Sequence, residues 1–116
     1  MDIIEKARLK LFLFKTQLAA EKVSTFLEWE DLLLRKGTDE GALKFAERKL
    51  NLIESLINLV NSIESDLSSK QYANALKSLK NLLSILEKGK PKGDLLNVLK
   101  ETNRFLEEFL SPAAQA

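Results

Sequence analysis

The chain contains no histidine and no cysteine. Without cysteine it has no disulfide, no thiol nucleophile and no thiolate metal ligand. Without histidine it lacks the side chain that most often moves protons near neutral pH and most often binds transition metals. Glycine and proline are scarce, at 4 and 2 residues, and aromatic residues make up 7%. No uncharged apolar run approaches the ~18 residues that a membrane-spanning helix requires. The apolar run over 11–14 is cut by Lys15, so a secretory leader is not expected. With cysteine absent as well, the expected compartment is the cytoplasm. A formal net charge of +1 argues against a protein that coats nucleic acid or lies on a membrane surface.

What is present is leucine, 24 of the 116 residues, in a chain that is 45% hydrophobic and 30% charged. That length suits one domain with a core of its own. The few helix breakers cluster. Gly37 and Gly41 mark one break, Gly89, Pro91 and Gly93 a second, and Pro112 the end. Between them the apolar residues recur at helical spacing. The expected fold is all-α, an antiparallel up-down four-helix bundle with a long first helical hairpin. Its helices span about 2–36, 39–67, 69–88 and 95–110, in a single domain over 1–110 with a disordered tail at 111–116.

The ends of these helices carry their own signals. Gly37 suits a left-handed residue after the first helix. Thr38 suits the N-cap of the second, with Asp39 and Glu40 in its first turn. Ser68 and Gln71 have the spacing of a capping box for the third. Gly93 or Asp94 would cap the fourth. Short connections make successive helices neighbours.

The third and fourth helices have one apolar face each. The third uses Tyr72, Leu76, Leu79, Leu83 and Leu86; the fourth uses Leu95, Val98, Leu99, Phe105, Leu106 and Phe109. The second has a broad apolar sector that includes Phe45, Leu52, Ile53, Leu56, Val60 and Ile63, with Lys49 and Glu64 at or beside its rim. The first helix differs. Ile4, Ala7, Leu11, Phe14, Leu18, Trp29 and Leu33 form one stripe. Leu9, Leu13, Ala20, Leu27 and Leu34 lie nearly opposite, the last four at intervals of seven, which is the spacing of a coiled-coil seam. A helix apolar on two sides is either wrapped on two sides within one chain or covered by a partner.

Catalytic constellations are absent from the pattern. A dimetal bundle uses Glu-x-x-His motifs, and there is no His. Glu30-Asp31 and Glu107-Glu108 are adjacent in sequence and so project in different directions on a helix. The segment 89–93 is not a P-loop, because its glycine spacing is wrong and no Lys-Ser/Thr pair follows. No enzyme, metal, cofactor or small-molecule substrate is expected. Residues 68–93 hold six basic residues against Glu87 alone. Lys70, Lys77, Lys80, Lys88, Lys90 and Lys92 could therefore track a phosphate backbone, although no Arg or aromatic residue interleaves them for base stacking.

Two functions follow as expectations. The first is a non-enzymatic interaction or assembly module. It would form a homodimer, a higher homo-oligomer or a complex with a helical partner protein, through Leu9, Phe12, Leu13, Ala20, Leu27 and Leu34. The alternative is an accessory nucleic-acid-binding subunit that uses the six lysines.

Overall fold

A computed structural model describes residues 2–89 and 93–111. Within them lie four helices: α1 over Ile3–Leu34, α2 over Glu40–Ser68, α3 over Tyr72–Gly89 and α4 over Leu95–Phe109. Among the described residues no helix is long and apolar enough to cross a membrane.

The helices close into a ring. α1 packs beside α2 and α4, and α3 beside α2 and α4, while the backbones of the diagonal pairs stay apart. Polar cross-links fix the order of the pairing. Along α1, Lys15 pairs with Glu64, Glu21 with Lys49, Lys22 with Glu54 and Trp29 with Glu47, so between Lys15 and Trp29 the partners run back along α2 from Glu64 to Glu47. Lys80 with Glu107 and Glu87 with Lys100 show the same reversal between α3 and α4.

Length sets the shape. At ~1.5 Å per residue α1 is roughly 48 Å long and α4 only about 22 Å. α3 and α4 therefore cover only part of the first hairpin. The result is a block four helices thick, continued by an arm made of α1 and α2 alone. The molecule measures 66 × 24 × 24 Å with a radius of gyration of 17.3 Å, against the ~13 Å expected of a compact domain this long.

The core fills the block. Ala7 and Leu11 of α1, Val60 and Ile63 of α2, Leu79 and Leu82 of α3, and Leu99 and Leu106 of α4 are almost fully buried. Each is worth on the order of 1 to 3 kcal/mol of burial, by residue size. In the arm the buried residues thin out to Leu18, Thr25 and Ala46.

Four sequence expectations change. Phe45 and Leu33 are 71% and 54% exposed. Phe45 continues the α2 stripe that α3 covers further along, but it lies beyond the end of α3; Leu33 lies in the arm, where α4 does not reach. Thr38 does not cap α2; its hydroxyl donates to the Arg35 carbonyl, and Asp39 is the N-cap, accepting from the Gly41 amide. Ser68 is the last residue of α2 and not the N-cap of α3. The turn between them is closed by the Gln71 amide on the Asp66 carbonyl and the Lys70 amide on the Leu67 carbonyl, with Lys70 left-handed at φ 59°. This is a Schellman ending with lysine where glycine is usual, so α3 begins at Tyr72 and not at 69. Gly37 does adopt the left-handed conformation, at φ 75°, although α1 ends slightly before the expected residue 36. The expected tail is described only at Ser111; 112–116 lie outside the described residues.

Candidate interaction face

The exposed side of α1 lies opposite its buried stripe. Ala7, Leu11, Leu18 and Thr25 are buried. Half a turn away, Leu9, Leu13, Leu27 and Leu34 are 44%, 46%, 58% and 76% exposed, and Phe12 is 53% exposed. Ala20 is exposed between them. The expected six residues therefore share one face, and no helix among the described residues covers it, although Leu13 borders the start of α4. Among the described residues α1 is not wrapped on both sides.

The face extends beyond those six. Val23 and Phe26 are also largely exposed. From Leu9 to Leu27 this side holds Leu, Phe, Thr, Ala and Val, with no charged residue. The Thr16 hydroxyl within it donates to the Phe12 carbonyl at 3.0 Å, and exposed Ser24 lies at its edge. Val23 and Thr16 were legible in the sequence: each sits three residues after a member of the heptad row.

Charge on α1 is directed to its other flanks. Lys10 reaches Asp94 at 2.7 Å on the α4 side. Lys15 bridges to Glu64 at 3.2 Å on the α2 side and lies 5.6 Å from the centre of the Phe12 ring. The Lys10 ammonium and its hydrogen bond hold the Asp94 carboxyl below its ordinary range. Asp94 is thus the N-cap residue of α4 by position, but its carboxylate is turned to Lys10 and caps no amide. The Glu21 hydrogen bond raises Lys49 above the ordinary lysine value, against a smaller opposing effect of burial. Lys49 and Glu64 therefore close cross-helix pairs at the rim of the core.

Of the six lysines, the four that are described are all exposed. The Lys80 ammonium lies 3.0 Å from Glu107, whose carboxyl it lowers. Lys70 sits in the α2–α3 turn, and Lys88 in the last turn of α3. That places them some 27 Å apart along the helix. Lys77 lines a groove shared with Asp66. Lys90 and Lys92 lie outside the described residues.

A second aromatic group closes the far end of the block. The Tyr72 and Phe109 rings meet edge to face at 5.3 Å, and Phe105 stacks beside Phe109 at 6.2 Å. Phe105 and Phe109 were expected in the core and are 39% and 49% exposed. Thr102 takes a fully buried place on α4, which apolar periodicity alone does not mark. Among the described residues no three acidic, His or Cys side chains gather where they could hold a metal ion.

In comparisons with known proteins, the chain matches no family model, no curated protein and no solved structure.

Proposed function

We propose that this chain is a non-enzymatic helical interaction module that assembles through the second face of α1. One observation carries the reading. A strip of α1 with no charged residue from Leu9 to Leu27 stands exposed, while the opposite stripe builds the core. Contiguous exposed apolar surface of this kind marks contact surfaces in soluble proteins. Leu27 and Phe12 are the anchors, large side chains about half exposed in the single chain.

Light scattering after size exclusion tests it. The native chain is expected to be a dimer or larger at tens of micromolar. Leu27→Asp is expected to be a monomer with unchanged helicity by circular dichroism. A native monomer at that concentration would remove self-association. Loss of helicity in Leu27→Asp would assign the face to the core.

A further inference from the structure

The apolar strip on α1 has a register that reads alike in both directions. Leu13, Ala20, Leu27 and Leu34 occupy one seam position of the heptad, and Leu9, Thr16 and Val23 occupy the other. All seven are exposed in the single chain. Thr16 tolerates a dry seam because its hydroxyl is already bonded to the Phe12 carbonyl. Charge brackets the run from Leu9 to Leu27, and Leu34, beyond it, would face Asp2 in the register described below. Lys6 stands one heptad before Leu13, and Glu30 one heptad after Val23. Both are exposed, and neither forms an ion pair among the described residues.

A second α1 laid alongside in the same direction, in register, would set Lys6 against Lys6 and Glu30 against Glu30, two repulsive contacts. Laid in the opposite direction, with the helices crossing level with Leu18, the seam pairs Leu9 with Leu27, Leu13 with Val23, and Thr16 with Ala20 of the second copy. The same placement sets Lys6 against Glu30 at both ends. A slip of one heptad either way loses this match: it puts Glu30 against Leu13, or Lys6 against Val23. The matching register also brings Phe12 beside Phe26 of the second copy on one flank. Gln17 meets Gln17 on the other. Leu18 lies at the middle of α1, which spans Ile3–Leu34, so the arm of each copy lies along the block of the other.

We infer that α1 is the seam of a two-fold homodimer, packed against α1 of a second copy in the opposite direction and centred on Leu18. This rests on the proposed contact role of the face and adds its occupant and register.

The natural lack of cysteine makes the register readable by crosslinking. Leu9→Cys and Leu27→Cys chains are oxidised separately and as a mixture. Disulfide dimers are expected in the mixture at ~10-fold or more over either variant alone. Like positions would lie roughly 27 Å apart along the seam, far beyond disulfide reach. Linkage of Leu27→Cys chiefly to itself would overturn the opposite-direction register and leave self-association standing. A native chain that stays monomeric in light scattering would overturn both. The end charges give a second readout. Lys6→Glu and Glu30→Lys should each weaken the dimer ~10-fold, since symmetry removes two pairs at once. The double variant should recover it. A double variant no tighter than the singles would overturn the proposed pairing.

Discussion

Thr16, Thr25 and Thr102 all sit inside helices, and they resolve their hydroxyls differently. Thr16 donates to the Phe12 carbonyl at 3.0 Å and Thr102 to the Val98 carbonyl at 2.8 Å. The Thr25 hydroxyl is 1% exposed by residue and has no hydrogen-bond partner among the described residues. A buried hydroxyl without an acceptor is destabilising, and valine has nearly the same shape without the polar atom. Thr25→Val is expected to stabilise the chain by about 1 kcal/mol, seen as a higher urea midpoint at unchanged slope. A lower midpoint would mean that the hydroxyl is satisfied. The Lys10–Asp94 pair gives a pH dependence at the same level. The Asp94 carboxyl is lowered in the folded chain, so its contribution is present above the ordinary carboxylate range and is lost as pH falls through the folded value. Lys10→Ala should therefore lower the urea midpoint at neutral pH, and the difference from the native chain should vanish in strong acid. A difference that persists there would assign the effect to lost packing of the lysine stem.

Along α2 the environment changes partway, and so should its protection. Ile53, Leu56, Val60, Ile63 and Leu67 are buried in the block, whereas Ala46 is the only buried residue before them. Helix without tertiary cover is marginal at such lengths. Amides over 43–50 are expected to exchange with solvent well before those over 56–67, as measured by native-state hydrogen exchange. Uniform protection along α2 would mean that the arm is covered in solution. Most of the helical pattern behind this was legible in the sequence. The number of helices, the turn at Gly37 and the double-sided character of α1 all follow from periodicity and from the position of glycine. The α2–α3 turn was not, because Lys70 takes the left-handed place that glycine would have announced. Nor was the exposure of Phe45 and Leu52, which share a stripe with buried residues of the same helix. Phe45 is bare because α3 stops short of it, and Leu52 because it sits at the edge of a groove beside Asn81 and Ile85 of α3, both properties of another part of the chain. The exposed row of α1 was legible as a face, since heptad spacing is local. The pairing of Lys80 was not, since Glu107 claims it from a different helix.

The overall dimensions bear on how copies can combine. A chain 66 Å long and 24 Å wide would form a much longer particle if two copies met end to end. Side-by-side union through α1 leaves the length nearly unchanged. Small-angle X-ray scattering is expected to give a maximum dimension for the dimer well short of twice the single-chain value. A dimension close to double would exclude the α1 seam.

The unequal helix lengths make each chain a wedge, heavy at the block and slender at the arm. Wedges stacked in the same sense would splay apart into a fan. Two wedges turned head to tail form a parallel-sided slab, with six helices in each section along the seam: four from one copy and two from the other. The taper, which leaves the arm bare in a single chain, is what would level the pair.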